Sequence, residues 1–224
     1  MRDVSIFDIL GPIMIGPSSS HTAGAVRLGN MAAGIFHRPI RRADFYLHGS
    51  FAKTYRGHGT DLALVAGIMG LLPDDERIRQ AYALAEAQGI EVAFHTTDLG
   101  YVHPNTVAIE LTGVEDRFRI IGSSLGGGAI EISRINETDV LIHGEHPTLI
   151  LSYQDKPGVI SQITSRIAQA GVNIAAMKVS RQDKLATTVL ELDGPIDQSV
   201  YETFEQDPQY HYIAEIGVIK HECI

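Results

Sequence analysis

Side chains able to do chemistry crowd into one run, Ile15-Gly16-Pro17-Ser18-Ser19-Ser20-His21-Thr22-Ala23-Gly24. The run stands directly ahead of a segment in which Leu28, Met31, Ala32, Ile35 and Phe36 recur at the spacing of one buried helical face. The hydroxyls are therefore predicted at a helix N-terminus, where unpaired N–H groups and the positive end of the helix dipole favour an anion. A carboxylate or a phosphate fits that chemistry. The plainer reading makes one serine an N-cap worth about 1 kcal/mol and the others loop. One serine satisfies that reading, so three with a histidine point to ligand binding. The neighbouring His21 raises the question of a Ser–His hydrolase, but adjacent positions in a helix turn are not expected to set a base behind a nucleophile.

Three further polar segments follow. Gly57-His58-Gly59-Thr60-Asp61 precedes an apolar helix over Leu62 to Leu72, with Thr60 or Asp61 available to cap it, and so repeats the arrangement of polar loop and helix start. His103-Pro104-Asn105 opens a strand. Gly122-Ser123-Ser124-Leu125-Gly126-Gly127-Gly128 lies between two others. Its glycines make a hairpin by default, and close approach of the backbone to a ligand is the competing explanation.

The elements that must hold these segments divide at His143-Gly144-Glu145-His146-Pro147. Ahead of it come a short apolar element in residues 1–14, the first helix, a strand at Ala43 to Ser50 and a helix over Asp74 to Gln88 ended by Gly89. Period-two segments follow at Ile90 to Phe94, Val107 to Leu111, and Ile130 to Ile135 with one slip. Several strands in series behind helices predict a sheet with helices covering it. Behind the boundary come a strand at Thr148 to Tyr153, a helix with Pro157 in its first turn, strands at Val172 to Ser180 and Leu185 to Leu192, a helix at Gln198 to Gln206 and a strand at Tyr212 to Lys220. The order βαββαβ is that of a ferredoxin-like sheet. The expected fold class is α+β, with domains at residues 1–145 and 146–224.

Composition narrows the functions. A chain of 224 residues with 44% hydrophobic content can bury a real core. A formal net charge of −9, with no basic run, argues against a nucleic-acid surface. No apolar run approaches the roughly 20 residues needed to span a bilayer, and the first residues, with Asp3 and Asp8, lack a signal-peptide pattern. The expectation is a cytoplasmic protein without membrane or nucleic-acid partners. The single Cys223 excludes an internal disulfide, and any four-cysteine metal site made by this chain alone.

The chain resembles the beta subunits of the bacterial two-subunit iron–sulfur L-serine dehydratases. The resemblance rests on Gly16-Pro17-Ser18-Ser19-Ser20-His21-Thr22, on Leu47-His48-Gly49-Ser50-Phe51-Ala52 followed by Gly57-His58-Gly59-Thr60-Asp61, on His103-Pro104-Asn105, and on Leu125-Gly126-Gly127-Gly128. It covers essentially the whole chain. The part from His146 is similar to an ACT domain through Asp155-Lys156-Pro157-Gly158-Val159 and Gly171-Val172-Asn173-Ile174.

The resemblance implies a mixed α/β, allosteric-substrate-binding-like first domain and an activity that deaminates L-serine to pyruvate and ammonia. It implies a [4Fe-4S] cluster held by cysteines of a partner alpha subunit, and no metal ligand on this chain. It makes His58 and His103 candidates for proton transfer, which suits an imidazole whose ordinary pKa of about 6.5 lies near working pH. Ser18, Ser19, Ser20, His21, Thr22, Asp61, Asn105, Gly126, Gly127 and Gly128 become candidates for substrate binding. Asp155, Pro157, Gly158, Val159, Asn173 and Ile174 become an ACT ligand loop, and the ACT domain a means for beta subunits to associate. His37, His95, His211 and His221 are left unassigned. The competing expectation is a purely regulatory serine-binding subunit, which would need hydrogen-bond donors but no proton acceptor at His58.

Overall fold

A computed structural model describes residues 13–218, so the apolar element expected in residues 1–14, His221 and Cys223 lie wholly or largely outside the described residues. By contacts the described chain forms two bodies, residues 13–136 and 137–218.

In the first body, helix α1 (Ala23–Phe36) buries Leu28, Met31, Ala32, Ile35 and Phe36 completely, as their spacing predicts. Strand β1 (Arg42–Leu47) leads into helices α2 (Gly49–His58) and α3 (Thr60–Ile68), which meet at Gly59. The segment around His58, expected as a loop, is instead the last turn of α2. Gly59, at φ 69°, supplies the left-handed residue that ends one helix and admits the next without a Cβ penalty. α3 stops at Ile68, short of Leu72. The helix expected over Asp74 to Gln88 is a 3₁₀ turn (Glu76–Gln80), capped by Asp75 on the N–H of Arg77, followed by the short α4 (Ala81–Ala87).

Strands β2 (Glu91–Thr96), β3 (Thr106–Thr112), β4 (Arg117–Gly126) and β5 (Ala129–Ile135) complete this body. The sheet runs in the order β2-β1-β3-β4-β5, with β1 parallel to β2 and antiparallel to β3. One face carries Phe45, Leu47, Val107, Ile109, Leu111 and Ile120, all essentially buried. Most of the expected glycine-rich insert is strand: Gly122 to Gly126 belong to β4, and only Gly127 and Gly128 turn, with Gly126 paired to Ala129. Positive φ at both turn residues, 60° and 85°, is the requirement of a two-residue hairpin. The slip seen in the period of β5 is a bulge. Ile121 pairs with Arg134 and Gly122 with Ile132, so Ser133 is the extra residue that lets Ile132 and Ile135 both stay buried.

In the second body, β6 (Thr138–Ile142) is followed by β7 (Thr148–Gln154), α5 (Val159–Gln169), β8 (Ile174–Gln182), β9 (Leu185–Leu192), α6 (Gln198–Glu205) and β10 (Tyr210–Ile216). The sheet order β10-β7-β9-β8, antiparallel throughout, is the ferredoxin-like arrangement. Leu149, Leu151, Tyr153, Leu190 and Ile213 of the sheet pack on Val159, Ile163 and Ile167 of α5 and on Phe204 of α6. Pro157 precedes α5 instead of lying in its first turn; the N-cap is Gly158.

Candidate functional site

The hydroxyl run does stand at the start of α1. Thr22 N–H bonds Ser18 C=O at 2.8 Å and Gly24 N–H bonds Ser19 C=O at 2.9 Å, which winds residues 18–22 into a turn feeding the helix. Thr22 is the N-cap residue, yet its side chain makes no cap bond. Its Oγ1 is buried without a hydrogen-bond partner, in a spot where a Cβ on Gly16 would stand 2.1 Å away. Ser18, Ser19 and Ser20 are half-buried.

His21 is the centre of the cluster and is 7% exposed. Its Nδ1 lies 3.3 Å from Ser18 Oγ. Its Nε2 lies 3.0 Å from Thr54 Oγ1 and 3.4 Å from Ser50 Oγ. The ring packs edge-on to Phe51 at 5.2 Å and to His58 at 4.8 Å, the latter with an interplanar angle of 85°. Ser18 and His21 therefore do touch, contrary to the expectation that so short a spacing keeps them apart. Burial, and after it the charge of a protonated His58, hold His21 below the ordinary imidazole pKa. His58 Nδ1 is buried without a partner.

The other expected segments divide. Ser50 N–H bonds Pro104 C=O at 2.8 Å, and a Cβ on Gly49 would stand 2.5 Å from that oxygen, so the 103–105 loop lies against the start of α2. Asn105, half-buried, accepts from Ser124 N–H at 2.9 Å through its backbone C=O. Ser124 Oγ is buried without a partner and packs on α1, where a Cβ on Gly24 would meet it at 2.0 Å. His103 is exposed; its Nδ1 accepts from Asn105 N–H at 3.2 Å and its C=O from Thr106 Oγ1 at 2.6 Å. Asp61 accepts from the hydroxyl of Tyr82 at 3.1 Å. Gly126, Gly127 and Gly128 form the hairpin, and Gly128 C=O accepts from the buried Arg27 at 2.5 Å. The glycine approaches seen at Gly16, Gly24 and Gly49 are thus to other parts of the chain.

Sequence reasoning misses Ser50, Phe51, Thr54 and Ser124. The first three are recoverable. Ser50, Thr54 and His58 stand at i, i+4 and i+8, one face of a helix, a pattern that reading the segment as a loop conceals.

Among the described residues no group of three or more His, Cys, Asp or Glu side chains is placed to hold a metal ion. The donors gathered here are hydroxyls and two imidazoles, which suit a carboxylate, a hydroxyl or a proton and do not fit as the ligands of an iron–sulfur cluster.

In the second body the two halves of the expected ligand loop do not meet. β7 and β8 are parallel to each other across β9. Asp155 follows the end of β7 that pairs with Leu185, whereas Ile174 pairs with Leu192. About seven residue rises, roughly 23 Å, separate the two ends. Asp155 lies 3.4 Å from Arg181, Val159 is core, and Asn173 donates to Asp193 at 2.7 Å.

A family model described as serine dehydratase beta chain matches residues 5–134, and one described as ACT domain matches residues 148–209. The chain is 39% identical over 219 residues to the probable L-serine dehydratase beta chain of Bacillus subtilis, spanning 97% of this chain and 100% of that one. It is 43% identical over 205 residues to the L-serine dehydratase beta chain of Peptoniphilus asaccharolyticus, spanning 89% and 92%. A D-3-phosphoglycerate dehydrogenase of Methanocaldococcus jannaschii is 24% identical over 200 residues, 87% of this chain but 37% of that one.

Proposed function

The chain belongs to the serine dehydratase beta chain family, and from that premise we propose that it is the substrate-positioning subunit of an L-serine dehydratase. The observation that carries the assignment is the trio of buried, unpartnered polar atoms, Thr22 Oγ1, His58 Nδ1 and Ser124 Oγ, set around the start of α1. A buried polar group without a partner costs about 1–3 kcal/mol, which favours a polar ligand near the start of α1.

In this reading the carboxylate of L-serine sits at the N-terminus of α1 against the hydroxyls of Ser19, Ser20 and Thr22, where the positive end of the helix dipole favours it. His58 takes the α-proton. A [4Fe-4S] cluster held by cysteines of an alpha subunit would supply the Lewis acid that helps the substrate hydroxyl leave. Loss of water gives aminoacrylate, whose imine form hydrolyses to pyruvate and ammonia, so one water is released and one consumed. His58 is preferred to His103 because it faces the buried histidine of the site, whereas His103 is exposed and its Nδ1 holds the turn at Asn105. The chain alone is inactive, and it works in the cytoplasm. Among its described residues no helix is long and apolar enough to cross a membrane.

One observation favours a second reading. The same stretch of sequence is similar to part of a dehydrogenase, so this unit also accompanies a different activity, as a regulatory serine-binding subunit would. The test that separates the two is His58→Asn in the complex with its alpha subunit. Proton transfer by the His58 imidazole predicts a loss of kcat of about 10²–10⁴-fold with little change in KM. Full kcat in that variant would exclude His58 as the base, leaving His103 in that role or the regulatory reading.

A further inference from the structure

Thr54 has one hydroxyl proton and two neighbours that compete for it. Its Oγ1 lies 2.9 Å from Ser50 C=O and 3.0 Å from His21 Nε2. With the hydroxyl donating to Ser50 C=O, the shorter of the two contacts, the contact with His21 is an Nε2–H donating to Thr54 Oγ1. The other ring nitrogen follows. Ser18 Oγ accepts from the backbone N–H of His21 at 3.4 Å, which leaves its own proton for Nδ1 at 3.3 Å.

We propose that Thr54 is a positioning residue for the reaction, fixing His21 as the neutral Nε2–H tautomer so that Nδ1 holds the Ser18 hydroxyl and the ring stays edge-on to His58. The backbone of α2 is the fixed point of this chain of contacts. Ser50 C=O, one helical turn before Thr54, orients the hydroxyl, and the hydroxyl orients the imidazole. The groups facing His21 are consistent with a neutral ring: Ser18 from the turn ahead of α1, and Ser50, Phe51, Thr54 and His58 from α2, of which only His58 titrates. Burial acts in the same direction by disfavouring the imidazolium. A neutral His21 leaves His58 free to accept a proton without a second positive charge 4.8 Å away.

The proposal rests on the lyase reading for its consequence, but the tautomer can be read without turnover. In the full chain, ¹⁵N shifts and long-range couplings of the His21 ring should show a protonated Nε2 and an unprotonated Nδ1. Thr54→Val keeps the shape and removes the acceptor, and it should abolish the single-tautomer signature. With the alpha subunit present it should lower kcat for serine about 10–100-fold, the range seen when a metal-bound histidine loses the partner that orients it, with KM changed far less. Thr54→Ser should restore both. An Nδ1–H tautomer in the parent chain, or a Thr54→Val variant with unchanged ring signals and unchanged kcat, would overturn the proposal. An Nε2–H spectrum in a complex inert towards serine would support the tautomer and count against the lyase reading alone.

Discussion

His21 and His58 show how far a side chain's role depends on what surrounds it. Both are histidines in polar motifs, but one is buried with three hydroxyls in reach and the other keeps an unpartnered nitrogen. The depressed pKa of His21 makes stability depend on pH. Unfolded, the ring binds a proton near pH 6.5, while folded it resists until lower pH. The unfolded state therefore holds more protons in that window. The stabilising contribution is complete above about pH 6.5 and is lost as pH falls through the folded value. Urea unfolding between pH 8 and 5 should show the midpoint of the first body dropping below pH 6.5, and His21→Gln should flatten that drop. A His21→Gln profile identical in shape to the parent's would show that the ring is not the titrating group. The serines and His21 are legible in the sequence because their density has no other use. Ser50 and Thr54 are legible only as a helical repeat with His58, and their pairing with His21 is not, since it spans about thirty residues of chain and depends on α2 being helical to His58.

The helices that aim these side chains are locked by their own close contacts. α1 and α3 cross where Gly29 and Gly67 face each other: a Cβ on Gly29 would stand 2.6 Å from Leu64 C=O, and one on Gly67 would stand 2.2 Å from Val26 C=O. Both obstacles are backbone, which cannot swing aside as a side chain can. Gly67→Ala, although favoured by helix propensity, should therefore destabilise the first body, by about 1–3 kcal/mol as overpacking typically does. Denaturant unfolding measures it; a Gly67→Ala variant as stable as the parent would mean that the helices separate at no cost. Amphipathic spacing announces α1 in the sequence, and period two announces β3 and β5. The bulge at Ser133 appears there only as a slip, because the sequence records an extra residue but not which partner strand absorbs it. β4 is partly hidden, since Gly122 to Gly126 reads as loop until Leu28 and Ile132, each 2.7 Å from a Cβ on Gly122, show why glycine sits in that strand.

At the scale of the whole molecule, each body has its own core, and the ferredoxin-like order of the second is readable from element order alone. The same order, with β7 and β8 parallel, sets Asp155–Val159 and Asn173–Ile174 at opposite ends of β8. A ligand touching both cannot be held by one copy. Two copies related by a two-fold axis beside β8 would run their edge strands antiparallel and bring the Asn173 end of each to the Asp155 end of the other. β8 is an edge strand, and Ala175, Ala176, Met177 and Lys178 along it are exposed. On this basis we propose that beta subunits associate through the ACT body, with any effector held between copies. A chain ended after Glu145 keeps the site around α1 and loses β8. Sedimentation analysis should find the full chain self-associated and the shortened chain monomeric, with the His21 ring signals of the two unchanged. Equal subunit counts in the two chains would remove the ACT body from assembly and return Asp155, Pro157, Gly158, Val159, Asn173 and Ile174 to purely structural roles.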